Sequence, residues 1–177
     1  MTPPRIGIRL MRDDDWDRVL AILGHWGMAP VAASEECPEP EQSGIEVGKT
    51  LVATVDGRVV GTASFRLLGP RLASTESLAV DPDWLGSGAA DRLQRARLAA
   101  LRELGIARVR TTVDRPRSIA WYVKRFGYRV VGSEPKKHRF SLPDVPHWTV
   151  LELELTGERP GSRRGGAPSG RGIDPAV

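Results

Sequence analysis

The stretch SLAVDPDWLGSGAADRL, residues 77–93, decides the fold. An apolar run typical of a strand stops at Asp81-Pro82, and Gly86-Ser87-Gly88 then opens a segment with helical spacing. Glycines at a helix start let the backbone approach an anion, which the free N–H groups and the helix dipole can bind. A plain turn from loop to helix is the competing interpretation.

Two well-known phosphate loops do not fit these glycines. A P-loop ends in Gly-Lys-Ser/Thr, and no such ending follows Gly86 or Gly88. A Rossmann fingerprint needs a third glycine where this chain has Asp91, whose carboxylate would also lie beside the pyrophosphate. The open choice is therefore between a generic anion-binding loop and a structural turn.

Strands and helices alternate on both sides of this stretch. The predicted strands are residues 5–11, the two arms of a hairpin over 49–69, 74–80, 106–113, 128–134 and 148–155. The hairpin turns at Asp56-Gly57, a dipeptide that favours a type I′ turn. Helices are predicted after the acidic run 13–15, over 88–105 and over 116–127. This order predicts a mixed α/β sheet with helices on its faces.

Helical spacing also predicts the buried faces of two helices. The second helix would bury Leu93, Ala96, Ala100, Leu101 and Leu104, and the third Ile119, Tyr122, Val123 and Phe126. Asp114 is positioned to cap the third helix, which has Pro116 in its first turn.

Composition indicates one globular domain. A chain of 177 residues with one cysteine, Cys37, has no internal disulfide and suits the cytoplasm. No apolar run is long enough for a transmembrane helix, and the N-terminus lacks the apolar core of a signal peptide. We therefore expect a cytoplasmic protein with no membrane partner.

The net charge of +4 is weak evidence for a nucleic-acid partner. Residues 157–177 hold four Arg against Glu158 and Asp174, a net of +2, so the rest of the chain is close to balanced. This Gly/Pro/Arg-rich tail has almost nothing to bury and is predicted to be disordered, leaving residues 1–156 as the folded domain.

The opening stretch, together with RPRSIAWYVKRFGYRVVG at 115–132, resembles the GNAT superfamily of N-acyltransferases. In that family a strand ending in Leu-Ala-Val-x-Pro precedes a Gln/Arg-x-x-Gly-x-Gly/Ala loop that holds the pyrophosphate of acyl-CoA. A later Asn-x-x-Ala-x-x-x-Tyr segment is matched here by Arg115, Ser118 and Tyr122. The resemblance covers roughly residues 5–155 and implies the GNAT fold, a mixed, mostly antiparallel sheet of about seven strands with helices on both faces.

The resemblance implies a donor site and two catalytic groups. The backbone amide of Leu78 would face the thioester carbonyl, and Tyr122 would deliver a proton to the sulfur. A buried core tyrosine is the alternative for Tyr122. The residues implied to bind acyl-CoA or a phosphopantetheine thioester are Leu78, Ala79, Val80, Gly86, Ser87, Gly88, Ala89, Ala90, Ser118 and Tyr122.

Glu76 is the candidate general base, because it has the same strand parity as Leu78 and Val80 and lies two residues from the expected carbonyl site. A partly exposed strand carboxylate is the alternative. Two long polar loops, 25–48 and 134–147, would narrow the acceptor side around a small-molecule amine. Their candidate substrate-binding residues are Trp26, Glu35, Glu36, His138, His147 and Trp148.

Two positions depart from the family pattern. Leu85 stands where the family has Gln or Arg, and Arg115 where it has Asn, with Asp114 taking over the capping role. A phosphopantetheine arm on an acyl-carrier protein has one phosphodiester and no 3′-phosphate. Its binding would therefore depend less on a basic side chain than the binding of CoA does. Both donors remain open.

Other function classes stay as alternatives. A non-catalytic GNAT-like module could sense acyl-CoA or bind a partner, and a nucleic-acid role would rest on the Arg-rich tail and KKHRF at 136–140. Cys37 has no nearby partner as a nucleophile, and three dispersed His with one Cys give no metal spacing. The sequence leaves monomer and homodimer open.

Overall fold

A computed structural model describes residues 4–38, 44–137 and 139–155. The strands are β1 Gly7–Leu10, β2 Thr50–Val55, β3 Arg58–Leu67, β4 Leu72–Val80, β5 Arg108–Val113, β6 Arg129–Pro135 and β7 His147–Glu154. The α-helices are α1 Trp16–His25, α2 Ala89–Glu103 and α3 Pro116–Phe126. Within these ranges no helix is long and apolar enough to cross a bilayer. The tail predicted at 157–177 and the candidate residue His138 lie outside the described residues.

The strands form one seven-stranded sheet in the order β1-β2-β3-β4-β5-β7-β6. Every neighbouring pair is antiparallel except β4 and β5, which are parallel. The predicted mixed, mostly antiparallel sheet is confirmed. The hairpin turn is confirmed as well, since Asp56 and Gly57 both have positive φ, 48° and 81°, as a type I′ turn requires.

Helices cover both faces of the sheet, as predicted. We call one side the α1 face, where Val52 and Ala79 of the sheet pack against Val19 of α1. We call the other side the α2–α3 face. There Val80 packs with Leu93 of α2, and a second cluster joins Ala73, Val109 and Leu151 of the sheet to Leu101 of α2 and Tyr122 of α3.

The buried stripes of α2 and α3 are narrower than predicted. Leu104 is 53% exposed because it is the C-cap of α2, where the chain turns away through Gly105 at φ 77°. Val123 is 37% exposed because Tyr122, one position back, is the residue that α3 turns into the core. The prediction that Leu104 and Val123 are core residues was therefore wrong.

A β-bulge interrupts β4 at Ser77. Thr62 pairs with Ala79 and Ser64 with Glu76, so β4 has one residue more than β3 between the two pairs. Ser77 has φ 55°, a left-handed conformation that a non-glycine residue adopts at some cost. Since side chains alternate between faces along a strand, the extra residue reverses the alternation beyond it.

The parallel strands β4 and β5 separate toward their carboxyl ends. Their ladder joins only Leu72–Ser74 to residues 108–110. Beyond it, the hydroxyl of Thr111 donates to the carbonyl of Thr75 at 2.9 Å. We call the space between residues 75–80 of β4 and 111–113 of β5 the gap. The bulge at Ser77 lies on one of its edges.

Asp114 does not cap α3, contrary to the prediction. The N-cap is Arg115, and no side chain caps the helix. The Asp114 carboxylate accepts instead from Lys136 Nζ at 2.7 Å, from Leu142 N at 2.8 Å and from Ser141 Oγ at 3.1 Å. Both members of the ion pair are buried, with side chains less than 5% exposed. The buried ammonium takes the carboxylate that a helix amide would otherwise use, and it fastens the second long loop to the end of β5.

Candidate active site

Tyr122 is held in the core beside the splayed strands. Its side chain is 5% exposed, and its ring makes an edge contact with that of Tyr128 at 5.0 Å. The Tyr122 hydroxyl accepts a long hydrogen bond from Nη2 of Arg97 at 3.4 Å. Tyr122 is therefore both a core residue and a polar one, and its oxygen is directed at a buried cation.

Arg97 of α2 is fully buried. Its Nη1 donates to the carbonyls of Ser64 in β3 and Glu76 in β4, each at 2.9 Å, and its other nitrogens bond the side-chain oxygen of Gln94. No carboxylate of the described ranges lies within ion-pair distance of it. Because a buried charge without a counterion is costly, its donors must be used by dipoles, and here they are.

Arg97 was not among the residues predicted for the site, although its position in the sequence carries a signal. Arg97 lies four residues after Leu93 and four before Leu101, two residues of the predicted core face of α2. Residues at this spacing share one face of a helix, so an arginine between two buried leucines predicts a buried guanidinium.

Glu76 lies on the α1 face, and the parity argument made for it was wrong. Leu78 packs against the clusters of the α2–α3 face, and Val80 belongs to one of them. The Glu76 carboxylate instead accepts from the Gly44 amide at 2.8 Å, beside Ile45, which packs on the α1-face cluster. The physical reason is the bulge at Ser77, which lies between Glu76 and Leu78 and reverses the alternation.

The Glu76 carboxylate is well ordered by polar contacts. It also accepts from Ser74 Oγ at 3.1 Å and pairs with the exposed Arg66 at 3.0 Å. Its backbone carbonyl receives Arg97 from the opposite side of the sheet. Glu76 and Tyr122 therefore approach the same part of β4 from opposite faces, with Arg97 bonded to both residues.

The glycine loop before α2 offers free backbone donors. Gly86 and Gly88 have φ values of 76° and 89°, and a Cβ on either would meet nothing within 4 Å, so space is open above them. The first helical bond runs from Arg92 N to Gly88 O at 3.1 Å, so the preceding amides have no helical acceptor. The amide of Ser87 donates to the carbonyl of Trp84 and the amide of Ala89 to Ser87 Oγ, each at 3.3 Å, so the amides of Gly86, Gly88 and Ala90 remain free among the described residues. These features fit a phosphate.

The hydroxyl of Ser77, on the β4 edge of the gap, is 6% exposed and has no hydrogen-bond partner among the described residues. The hydroxyl of Thr75 is also buried, but it lies against Tyr128 and lowers the pKa of that residue. Buried polar groups almost always have a partner, so the Ser77 hydroxyl fits a ligand that enters the gap. Leu85, which replaces a polar or basic residue of the family pattern, is 59% exposed at the glycine loop.

Trp26 and Arg115 meet at the open end of the gap. The indole Nε1 of Trp26 donates to the carbonyl of Val80, the last residue of β4, at 2.9 Å. The guanidinium of Arg115, which follows the end of β5, lies 5.2 Å from the centre of the indole ring. Ser118 is half-buried in the first turn of α3.

The other acceptor candidates are dispersed. Trp148 stacks under the ammonium of Lys136 at 4.5 Å and supports the second loop. Glu35 and Glu36 are exposed in the first loop, and His147 is exposed at the start of β7. The two loops meet where Ser141 N donates to Gly27 O at 3.0 Å. In the described part of the chain, no group of three His, Cys, Asp or Glu side chains could hold a metal.

The sequence profile of the acetyltransferase (GNAT) family matches residues 16–128. The chain belongs to the GNAT acetyltransferase family. The matched span contains α1, the gap, the glycine loop and Tyr122, so the enzyme carries the candidate site within its family region.

Solved structures share the fold at low sequence identity. The ribosomal-protein-S18-alanine N-acetyltransferase of Escherichia coli has a TM-score of 0.66 at 16% identity, over 90% of this chain and 98% of that one. yncA of Salmonella typhimurium, with its cofactor acetyl-CoA, has a TM-score of 0.65 at 17% identity, over 88% and 96%.

N-acetylglutamate synthase of Neisseria gonorrhoeae, complexed with coenzyme A and L-arginine, has a TM-score of 0.65 at 17% identity. The match covers 86% of this chain but only 34% of the synthase, so the chain spans about a third of that protein. No curated protein sequence matches the chain. At these identities the likeness concerns the fold.

We expect Tyr122→Phe to lower kcat for acyl transfer about tenfold or more, because the variant cannot give a proton to the leaving sulfur. The KM for the thioester should change little. Tyr128→Phe is the matched control, since Tyr128 is 2% exposed and in ring contact with Tyr122. Steady-state kinetics at saturating amine decide it, and equal kcat values for both variants would remove Tyr122 from the chemistry.

The ionisation of Tyr128 should lower the free energy of unfolding of the enzyme at alkaline pH. Burial, and to a lesser extent the neighbouring Tyr122, raises the pKa of Tyr128 to about 12, although Arg97 and the hydrogen bonds with Gln94 and Thr75 act in the opposite direction. The unfolded chain loses this proton near pH 10 and the folded one near pH 12, so stability falls across that window by about 1 kcal/mol per pH unit. Urea unfolding at pH 9 and pH 11 should show a smaller loss for Tyr128→Phe, and equal losses would contradict the assignment.

Proposed function

We propose that the enzyme transfers an acyl group from a pantetheine thioester to the amine of a small molecule by direct attack. The observation that carries this proposal is the gap, which Tyr122 approaches from the α2–α3 face and Glu76 from the α1 face. A donor and an acceptor could therefore enter from opposite faces and meet between β4 and β5.

The donor site of the proposal extends from the glycine loop to the bulge. The amides of Gly86, Gly88 and Ala90, which have no acceptor among the described residues, would hold a phosphate, as the helix dipole favours. Ala79 and Val80 would line the pantetheine arm, and the unpaired hydroxyl of Ser77 would meet one of its polar groups. The amide of Leu78 would donate to the thioester carbonyl as negative charge develops on that oxygen.

The two proton transfers are assigned according to the face of the sheet on which each side chain lies. Glu76 would take the proton of the attacking amine, directly or through a water, since it lies on the acceptor side. The C–N bond would form first and give a tetrahedral intermediate. As the C–S bond of that intermediate breaks, Tyr122 would give its hydroxyl proton to the leaving sulfur. Arg97 would then donate to the phenolate oxygen, 3.4 Å away in this structure.

CoA is the donor that the comparisons support, because the Neisseria structure contains coenzyme A and yncA contains acetyl-CoA. The exposed Leu85 supports a second donor, an acyl group on a carrier protein, whose arm has a single phosphodiester. Such a donor would need fewer cationic contacts at the loop.

A small acceptor is favoured by the two long loops. They are joined at Gly27 and Ser141, where a Cβ on Gly27 would come within 3.1 Å of the Ser141 carbonyl. Relatives of this fold act on different acceptors, since one is named for glutamate and another for a ribosomal protein. A joint between the loops narrows the acceptor side, which suits a small molecule better than a protein tail.

The test is thiol release with a panel of small amines and two donors, acetyl-CoA and acetyl-phosphopantetheine. We expect amine-dependent thiol release with at least one donor. Heat-unfolded enzyme is the control and should release no thiol. Thiol release that does not depend on the amine would indicate hydrolysis only. Tight binding of acetyl-CoA without any turnover would instead indicate a sensing module.

A further inference from the structure

Arg115 has an unused guanidinium. Its only described side-chain contact is the stacking on Trp26 at 5.2 Å, and no carboxylate of the described residues lies within ion-pair distance. An arginine carries five N–H donors in a planar fork, and stacking on an aromatic face leaves all of them free. The side chain is half-exposed, so a ligand can reach it.

The stack of Arg115 on Trp26 lies on the acceptor side of the gap. Trp26 packs on the α1-face cluster and is bonded to the carbonyl of Val80, at the end of β4. Arg115 reaches it from the end of β5, so the pair spans the open end of the gap. Arg97 and Tyr122 occupy the opposite face. A group bound by Arg115 would therefore belong to the acceptor.

The platform under the guanidinium is rigid. The backbone amide of Trp26 donates to Leu23 at 3.0 Å as α1 ends, and the following Gly27, at φ 68°, accepts from Ser141 N at 3.0 Å. The indole ring is bonded to Val80, and the backbone that carries it is held at Trp26 and at Gly27. A side chain stacked on a fixed ring is oriented before the ligand arrives, which reduces the entropy lost on binding.

The surroundings favour an anion. The adjacent carboxylate, Asp114, is paired with Lys136. The carboxylate of Glu76 is paired with Arg66 and accepts hydrogen bonds from Gly44 and Ser74. Arg115 is the N-cap of α3, whose first helical bond runs from Ile119 N to Arg115 O at 2.9 Å. The positive end of the helix dipole adds to the guanidinium charge at this point.

We propose that Arg115, stacked on Trp26, binds a carboxylate of the acceptor, so that the substrate class is amino acids or other amines that carry a carboxylate. The inference rests on the proposed acyl transfer and names its acceptor. A carboxylate matches the guanidinium fork with two parallel hydrogen bonds, which fixes the orientation of the amine relative to the gap.

The kinetic test compares α-amino acids with their decarboxylated amines: leucine with isoamylamine, phenylalanine with phenethylamine, and lysine with cadaverine. For at least one pair the amino acid should have a kcat/KM about tenfold higher or more, the size expected of charge-assisted hydrogen bonds. Arg115→Gln should bring that ratio close to one and leave the KM for acetyl-CoA unchanged. Arg115→Lys should keep part of the preference, because it keeps the charge.

Arg117→Gln is the matched control, since Arg117 is exposed two residues further along the same helix. It should leave the ratio at the wild-type value. A ratio near one for all three pairs in the wild type would overturn the inference. So would an Arg115→Gln variant that keeps the ratio and raises the KM for acetyl-CoA, because Arg115 would then bind the donor.

A binding measurement separates this inference from the proposed function. Calorimetry with the same amine pairs in the presence of CoA should show at least one amino acid binding about tenfold tighter than its decarboxylated partner, and Arg115→Gln should abolish the difference. If no amine causes thiol release, the proposed function fails while this comparison still decides the carboxylate site. Equal affinities within every pair would reject it.

Discussion

The buried guanidinium of Arg97 is the contact on which the candidate site depends. It joins α2 to the carbonyls of Ser64 in β3 and Glu76 in β4, which pair with each other beside the bulge, and to the hydroxyl of Tyr122 on α3. Removing a charged group from water costs several kcal/mol, which only well-aligned dipoles can offset. Because of this cost, the stable arrangement of β4 and Tyr122 is the one in which the N–H donors of Arg97 have acceptors. The cation also leaves a positive potential where the proposed reaction develops negative charge.

The bulge at Ser77 gives the two faces of the sheet different chemistry. Without the extra residue, Glu76 would share a face with Leu78 and Val80, on the side of Arg97 and Tyr122. With it, the carboxylate lies on the α1 face, where it accepts from Gly44 of the first long loop and where Trp26 also packs. The proposed acid, Tyr122, and the proposed base, Glu76, therefore lie on opposite faces of the sheet, and the gap between β4 and β5 connects the two faces.

Much of the fold was predictable from the sequence, because periodicity and turn residues report on local structure. The strand before Asp81, the glycine loop and the α2 helix follow from such signals, and so does the Asp56-Gly57 turn. The bulge gave no signal, since Ser77 is an ordinary strand residue and the extra residue is visible only against β3.

The errors at the site share a cause, which is contact between distant parts of the chain. Asp114 looks like a helix cap within its own segment, but a lysine 22 residues later takes its carboxylate. The role of Arg115 likewise depends on Trp26, which is far away in the sequence. The family pattern identified the positions of Tyr122 and the loop, but not which face of the sheet each side chain reaches.

A crystal structure with a non-transferable thioether analogue of acetyl-CoA would show where the reacting atoms lie. We predict that the sulfur lies in the gap within hydrogen-bond distance of the Tyr122 hydroxyl, roughly 3 Å, with the acyl oxygen equally close to the Leu78 amide. The phosphate would contact the amides of residues 86–90. A pantetheine arm that runs outside the gap, with its sulfur on the α1 face or away from Tyr122, would contradict it.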